Sequence, residues 1–597
     1  MTTEFRQLKY YLFTKGNDPQ PKSSLPAQPT DEISLVAERI RKELNIKSDI
    51  TLFKTEDLPI LPRSDVRNRV QTWLEQHLEE ELDLNAYYEV GEFWPTGGDW
   101  SLPKKYDLVA VDSSALEDLK VIHAFPDIGR SRLPAIDGHR SLLGRFGSAP
   151  SPSVGCTDLK TTYDGTKSFI CAGRPAQRYG PPNALFDYRL ARLSHEIRNL
   201  DVSELSPGIL GIAHELLVAS ADFYGSEQER EDVIYKILMK IFPNGTRQTC
   251  VNGKHWSLSL IFELKNQRGN GGDPTTQAVL DYMAILADVE LSGAFRTRSN
   301  SPCVSLGFAG SQLTVSTMIC TDAVHVEELY CEDLHGGFHV DKRVTSVACT
   351  LQAVKNAFEG LELFYKQFEG DHSPSDGSYL LPRPVHAESH VDLVKSLGLR
   401  FLYKLSHKGG QVGNTSTERQ DNMNHAVYVA LGDDVHIPSK EVVIKFALKY
   451  NVEAHEALAK IGLAPELYHH CPVLGGCVMI VMEKITGTMA WTLEKAGTKM
   501  PWSVYADVER AVQHLHGMDI VFGDLRMPNI MVRELVHRAV LIDFDWAAKE
   551  GEGRYPATII PDSVSHGWAS GVERCGLMKK EHDWHMLKAL KGACEEA

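Results

Sequence analysis

Near the N-terminus, apolar and polar positions alternate in a way that predicts two strands flanking a helix. Residues 8–13 read Leu-Lys-Tyr-Tyr-Leu-Phe, a run typical of a strand, and residues 49–54 alternate in the same manner. Between them, residues 30–44 begin with a capping threonine and repeat apolar residues at helical spacing. A strand, a helix and a strand within residues 1–65 predict a small β-grasp or ubiquitin-like module.

A long connection and a helix-rich middle region follow. Residues 66–180 form the connection, and residues 135–180 are rich in Gly, Ser, Pro and Arg, which predicts an exposed, poorly ordered linker. The middle region, residues 181–370, opens with helical periodicity. Ser226 and Glu229 form a capping box there, ahead of an apolar helix face.

The middle region continues with an apolar strand that ends in two charges, Glu263-Leu-Lys265, and then a helix that carries Gln277 and Tyr282. Because side chains alternate along a strand, Glu263 and Lys265 project to the same side. A carboxylate and an ammonium there can hold a divalent metal and polarise an attacking water, with Gln277 and Tyr282 behind them. The same pattern also occurs as an exposed ion pair.

From about residue 395 the pattern becomes strand, loop, strand, helix, strand, hinge and helix. Lys445 is embedded in an apolar strand, where it either snorkels from an edge or is surrounded by anions. Glu453 and Glu456, three positions apart on the next helix, are alternative carboxylate partners for it. Met482 and Glu483 end a buried strand that leads into the hinge.

A catalytic pattern lies between residues 521 and 546. Asp524 precedes Asn529 by five residues, and Asp543 follows fourteen residues later, after an apolar run. Phosphoryl transfer needs one carboxylate for the acceptor hydroxyl, then an amide and a carboxylate for magnesium. Arg526 suits the neutralisation of charge on the transferred group, because its side chain stays protonated.

This order and spacing resemble the catalytic loop and metal motif of protein kinase-like enzymes. The resemblance implies ATP and Mg²⁺ (or Mn²⁺) as cofactors and protein Ser or Thr hydroxyls as acceptors. It gives catalytic roles to Asp524, Arg526, Lys445 and Glu453, nucleotide contacts to Lys445, Met482 and Glu483, and metal binding to Asn529 and Asp543. The pattern of fungal kinase-like relatives favours Glu453 over Glu456, and it implies that Asp583 braces the catalytic loop.

Three departures separate this chain from ordinary protein kinases. Phe522-Gly523 stands in place of His-Arg, and Asp545 replaces the glycine after Asp543-Phe544. These two changes recur in fungal and small-molecule kinase-like families. No clear glycine-rich loop precedes Lys445, although residues 408–413 are a weak candidate, so pseudokinase behaviour stays open. The short stretch after the metal motif predicts a truncated C-terminal lobe.

Two further resemblances complete the expected architecture. Residues 52–60, Leu-Phe-Lys-Thr-Glu-Asp-Leu-Pro-Ile, resemble a segment of the N-terminal module of Crinkler-type effectors, and the Glu263-x-Lys265 region resembles restriction-endonuclease-like domains of the PD-(D/E)xK group. Such nucleases present an aspartate where this chain has Asn252, which predicts lost or altered cleavage. The expected fold is a multidomain α/β and α+β chain with a β-grasp-like module in 1–65, a connection in 66–180, an endonuclease-like domain in 181–370 and a truncated kinase-like domain in 395–597.

Composition narrows the compartment and the partners. The net charge of −16 over 597 residues argues against broad nonspecific nucleic-acid binding. Eleven scattered cysteines indicate reduced thiols, and neither a signal peptide nor an apolar run of transmembrane length is evident. We expect a soluble intracellular protein, or one exported by an unconventional route into a host cytoplasm or nucleus. The expected partners are ATP and a protein substrate, with DNA and self-association as further options and no membrane.

Overall fold

The chain divides into two compact units, one formed by Met1–Leu133 with His372–Asp376 and the other by Pro134–Asp371 with Gly377–Ala597. The computed structural model describes residues 6–13, 20–27, 33–43, 50–54, 108–112, 126–149, 151–155, 157–165, 170–174, 178–243, 258–268, 272–288, 295–368, 376–406, 426–433, 435–534, 538–561 and 567–595.

The described elements that lie wholly within the first unit form one mixed sheet and one helix, and residues 126–133 of this unit begin a helix that continues into the second unit. The elements of the sheet and its helix are β1 (Arg6–Phe13), β2 (Gln20–Ala27), α1 (Ile33–Glu43), β3 (Ile50–Lys54) and β4 (Leu108–Asp112). The strand order is β2-β1-β4-β3, with β1 parallel to β4 and the other neighbours antiparallel. Val36, Ile40 and Leu52 are fully buried between α1 and the sheet. The predicted strands and helix are confirmed, and the sheet takes its fourth strand from residues beyond the predicted module.

The second unit begins with helices and a five-stranded sheet. The helices are α2 (Pro126–Arg145), α3 (Pro152–Gly155), α4 (Leu159–Gly165), α5 (Tyr188–Asn199), α6 (Ile209–Ala221), α7 (Glu227–Leu238), α8 (Pro274–Ala287) and α9 (Asp341–Lys366). The strands are β5 (Ile170–Cys171), β6 (Leu260–Lys265), β7 (Cys303–Ala309), β8 (Gln312–Cys320) and β9 (Val324–Asp333), in the order β5-β9-β8-β7-β6. β6 and β7 are parallel, and α8 supplies the crossover that a parallel pair requires.

The predicted linker over residues 135–180 contains ordered structure. Helix α2 buries Leu142 and Leu143, the following turn buries Phe146, and β5 adds Ile170 to the edge of the sheet. The prediction of an exposed linker differs from the structure because composition averages over a few well-placed apolar residues. Those residues supply the buried contacts that order the segment.

The C-terminal part contains a second five-stranded sheet, which is antiparallel throughout. Its strands are β10 (Arg400–Lys404), β11 (Val427–Leu431), β12 (Glu441–Ala447), β13 (Leu467–Val473) and β14 (Cys477–Glu483), in the order β10-β11-β12-β14-β13. The smaller strands are β15 (Gly487–Met489), β16 (Ile520–Val521), β17 (Ile530–Arg533), β18 (Ala539–Leu541) and β19 (Ala548–Lys549). The helices are α10 (Leu393–Ser396), α11 (Val452–Lys460), α12 (Ala490–Lys495), α13 (Trp502–Gly517) and α14 (Lys580–Ala593).

The second unit is held by two main hydrophobic cores. The first joins residues of the middle sheet to residues of the C-terminal sheet, including Phe308, Val315, Tyr428 and Ile444. The second joins α11, α13 and α14 to the strands β16–β18. The C-terminal sheet therefore shares its core with the middle region. Among the helices in the described ranges, none combines the length and apolar character needed to cross a bilayer.

Candidate active site

Lys445 lies on β12, inside the antiparallel sheet between β11 and β14. Its Nζ donates to Asp543 Oδ1 at 2.7 Å and to Asp545 Oδ1 at 2.7 Å, and 13% of its side chain is exposed. Burial alone would lower the pKa of Lys445, but the two carboxylates outweigh it and raise that pKa above its usual value. The lysine is therefore a fixed cation between two acids.

The two aspartates follow strand β18 and respond differently to this lysine. Asp543 has a φ of 69°, the left-handed region that few non-glycine residues adopt, which is typical of functional positions. Burial would raise the pKa of Asp543, but Lys445 holds it below its usual value. Burial and the neighbouring Asp543 raise the pKa of Asp545 to about 7. Two carboxyl groups beside one ammonium crowd negative charge at this site, so the second of them, Asp545, ionises only as the pH approaches 7.

The loop between β16 and β17 brings together the three residues predicted for catalysis and metal binding. Asp524 is 8% exposed, and Arg526 pairs with it through two guanidinium nitrogens, with Nη2 at 2.8 Å from Oδ2. Asn529 donates its side-chain N–H to the backbone oxygen of Asp524 at 2.9 Å. This bond uses the amide nitrogen of Asn529, so the amide oxygen is the atom suited to a cation.

Asp583 of α14 braces the loop between β16 and β17, as the resemblance to kinase-like proteins implied. Its fully buried carboxylate accepts from the backbone N–H groups of Phe522 at 2.8 Å and Gly523 at 2.9 Å, and from His516 Nε2 at 2.9 Å. Gly523 has a φ of 81°, and a Cβ there would lie 3.2 Å from Met578 Sδ, so a larger residue would strain the loop.

Glu453 is not brought to Lys445. It is an exposed residue in the first turn of α11, and no ion pair joins the two. The helix instead presents His455, which is fully buried and stacks on Phe544 with ring centroids 4.8 Å apart. Burial lowers the pKa of His455 to about 4, and the neutral ring contacts Tyr450 Oη at 2.8 Å and Pro465 O at 2.9 Å. The phase of the helix thus places an imidazole, and not a carboxylate, next to Phe544 of the segment Asp543–Asp545.

Met482 and Glu483, predicted to contact adenine, end β14. Met482 is 7% exposed and packs against Ile480 and Ala447. Glu483 accepts two bonds of 2.8 Å from Arg533 of β17, and its backbone N–H donates to Glu466 O at 2.8 Å. Glu483 therefore links the five-stranded C-terminal sheet to strand β17, and its backbone N–H is already used. The predicted glycine-rich segment, residues 408–413, lies outside the described residues.

Aromatic rings that the sequence did not predict surround Arg526. Its guanidinium carbon lies 5.0 Å from the ring centroid of Trp568 and 5.9 Å from that of Trp546. The two indoles are stacked with centroids 5.8 Å apart. These contacts hold the guanidinium against Asp524 by cation–π attraction. Trp546 directly follows Asp545, but no local signal connects Trp568 to the site.

The middle region contains a second group of charged side chains. Glu263 is 8% exposed, and burial together with a hydrogen bond to Asp281 raises its pKa to about 9. The Nζ of Lys265 lies 3.4 Å from a carboxylate oxygen of Glu227. The charge of Lys265 lowers the pKa of Glu263, but burial and Asp281 outweigh it. Gln277 lies one turn before Asp281 on α8, and its buried Oε1 has no hydrogen-bond partner among the described residues.

Tyr282 does not lie behind Glu263 and Lys265, where the sequence predicted it. It is fully buried and donates to Ser301 O at 2.8 Å, so it belongs to the hydrophobic core. Asp281, one position earlier on α8, meets Glu263 instead. Asn252 lies outside the described residues. In the described part of the chain, no group of three or more His, Cys, Asp or Glu side chains is arranged to hold a metal ion.

Comparison with known proteins adds little to this geometry. No protein-family model matches the chain, and no curated protein matches it. Among solved structures, the chain is similar to the Cydia pomonella Granulovirus kinase, PK-1, at 16% sequence identity and a TM-score of 0.21. The match covers 27% of this chain and 60% of that kinase, less than two thirds of its length. A TM-score of 0.21 is too low to assign a fold or a function to this chain.

Proposed function

We propose that residues 395–597 form a kinase-like domain that transfers the γ-phosphate of ATP to Ser or Thr hydroxyls of a protein. The observation that carries this proposal is the contact between Lys445 and Asp543, at 2.7 Å across 98 positions of sequence. The loop of Asp524 and Asn529 is tied to the same place, because Ile542 N donates to Asn529 O at 2.9 Å. The lysine, the acid and the candidate base to which this proposal assigns phosphate, metal and acceptor hydroxyl thus come together from three separate segments.

The donor set fits Mg²⁺ or Mn²⁺. Asp543 and Asn529 offer a carboxylate and an amide oxygen, the hard ligands that Mg²⁺ prefers. Asp543 and Asp545 together outnumber the one ammonium of Lys445, and a divalent cation would offset the negative charge that remains once Asp545 is ionised. When bound, the metal would neutralise charge on the ATP phosphates.

The residues of the chain would divide the transfer as follows. Lys445 holds the phosphates of ATP, and Asp524 orients the acceptor hydroxyl and takes its proton. The hydroxyl oxygen forms a bond to the γ-phosphorus while the bond to the ADP oxygen breaks. Arg526, which pairs with Asp524, would use its permanent charge to neutralise charge on the transferred phosphoryl group.

The test is transfer from γ-labelled ATP by the full chain with Mg²⁺ and with Mn²⁺. We expect label from wild type, and a loss of about 100-fold or more in Asp524→Asn and Asp543→Ala. Asp519→Asn is the matched control, because Asp519 is exposed, pairs with Lys580 and lies outside the site. Absence of label from folded wild type would indicate a pseudokinase.

We further propose that the protein is a Crinkler-like effector of fungal type that acts in the cytoplasm or nucleus of a host cell. A host protein would then accept the phosphoryl group. The resemblance of residues 52–60 to the N-terminal module of such effectors supports this proposal. The first unit contains a four-stranded sheet with one face of α1 packed on it, which fits a small module of this kind. A catalytically silent effector predicts saturable binding to a host protein without transferred label.

Metal-dependent DNA cleavage by the middle region is the second candidate function. The observation that favours it is the contact of Glu263 with Asp281 beside Lys265, because a second carboxylate joins the predicted pair. Plasmid cleavage with Mg²⁺ or Mn²⁺ should then disappear in Glu263→Ala. Glu359→Ala, which changes an exposed glutamate of α9, is the control. Cleavage that survives in Glu263→Ala would exclude this site.

A further inference from the structure

Lys445 has two acidic partners, but only one can remain with it during the proposed reaction. Asp543 Oδ1 and Asp545 Oδ1 both lie 2.7 Å from Lys445 Nζ. Asp543 is also the carboxylate that the proposed function assigns to the metal. A carboxylate turned to a divalent cation shares its charge with that cation, so Lys445 would then depend on Asp545 as its counter-ion.

The following helix offers Lys445 no carboxylate. Glu453 of α11 is exposed, Glu456 is partly exposed, and neither forms an ion pair with the lysine. The side of α11 next to the segment Asp543–Asp545 is occupied by His455, which stacks on Phe544. Tyr450, just before this helix, adds a ring whose centroid is 5.8 Å from Lys445 Nζ.

His455 also blocks a rearrangement that would bring Glu453 inward. Its two ring nitrogens are used by Tyr450 Oη and Pro465 O, and the ring is fully buried. Asn451 further fixes the start of α11, because its Nδ2 donates to Ala547 O at 2.9 Å and its Oδ1 accepts from Ala454 N. Rotating the helix to present a glutamate would break these bonds and expose a buried ring.

We propose that Asp545 is the positioning residue that holds Lys445 on the ATP phosphates, in place of a glutamate on α11. This role depends on the proposed function. It means that one three-residue segment, Asp543-Phe544-Asp545, carries both the metal ligand and the counter-ion of the lysine. An acidic side chain at position 545 is then required for nucleotide binding, because a glycine at this position would give Lys445 no counter-ion.

The test measures nucleotide binding without turnover, by titrating the full chain with a fluorescent ATP analogue in Mg²⁺, and then KM and kcat for ATP. We expect Asp545→Asn to raise the Kd and KM at least tenfold, and Asp545→Glu, which keeps the charge, to recover part of that loss. Glu453→Gln and the control Asp519→Asn should stay within twofold of wild type. In a Lys445→Met background, Asp545→Asn should change the Kd less than twofold, because the partner is gone.

Two results would overturn the role of Asp545. The first is a tenfold loss of affinity in Glu453→Gln, which decides the matter even if Asp545→Asn does not fold. The second is an effect of Asp545→Asn that is as large in Lys445→Met as in wild type, since Asp545 would then act without the lysine. Wild type that binds no nucleotide would refute the proposed function, and this role with it. Wild type that binds, with either result above, refutes the positioning role alone.

Discussion

Two sites in this molecule are built from the same parts, two carboxyl groups and one lysine, yet they hold charge differently. In the C-terminal site, Lys445 lies between Asp543 and Asp545 and pairs with both. In the middle region, Glu263 and Asp281 are bonded to each other, while Lys265 faces Glu227 at 3.4 Å.

The position of the lysine decides which acids stay ionised. Lys445 keeps the pKa of Asp543 low, so this carboxylate can meet a cation directly. Burial and Asp281 raise the pKa of Glu263 to about 9, so a metal entering the middle site must first displace a proton. The comparison shows that a count of acids and lysines in sequence does not determine the charge of a site.

The strongest way to break this comparison is to remove each lysine in turn. Lys445→Met should reduce phosphate transfer about 100-fold or more and lower the free energy of unfolding by about 2 kcal/mol. The stability cost is less than for a fully buried pair, because both aspartates keep partial contact with water. Lys265→Met should cost about 1 kcal/mol or less, since its partner Glu227 is half exposed. Urea unfolding of both variants checks this, and equal costs would contradict the contrast.

The next effect concerns the support of the C-terminal site. Asp583→Ala leaves the N–H groups of Phe522 and Gly523 and the ring of His516 without their acceptor. We expect a loss of about 2 kcal/mol in stability and at least a tenfold fall in kcat. Thermal unfolding and transfer assays measure the two separately. A normal kcat in the folded variant would show that the loop holds its shape without the buried acid.

A smaller effect should appear at Glu263 as a dependence on pH. The folded-state pKa of about 9 lies above the ordinary value of 4.5, so the folded state prefers the protonated acid. The contribution of protonated Glu263 to the free energy of unfolding is therefore complete below pH 4.5 and is lost as the pH rises through 9. Glu263→Gln keeps a neutral side chain at all pH values. It should therefore be more stable than wild type at pH 8, by on the order of 1 kcal/mol, and close to wild type at pH 4. Unfolding titrations at both pH values test this, and no gain at pH 8 would contradict the raised pKa.

The sequence predicted the parts of the C-terminal site that depend on local order. Lys445 was placed by its apolar strand, and Asp524, Asn529 and Asp543 by their spacing. The structure brings these four residues together from three segments. Their catalytic and metal-binding roles stay predictions. The strands and helix of the first unit were predicted well for the same reason, because their periodicity is local.

What the sequence did not predict depends on helix phase and on long-range contacts. One position on a helix turns a side chain by about 100°. That rotation separates Asp281, which meets Glu263, from Tyr282, which enters the core. A two-position difference likewise separates exposed Glu453 from buried His455. Asp545 was noted only as a replacement for glycine, since its contact with Lys445 crosses 100 positions of sequence.

The core that the C-terminal sheet shares with the middle region has a mechanical consequence. Lys445 belongs to the sheet anchored in that core, whereas the loop of Asp524 and Asn529 lies with the other core. If the two cores move relative to each other, the C-terminal sheet cannot tilt without carrying the middle region along. A fluorescent pair with one dye on α9 and the other on α14 would then report this motion as a change in the distance between the dyes. The 26-residue α9 would move together with the C-terminal sheet.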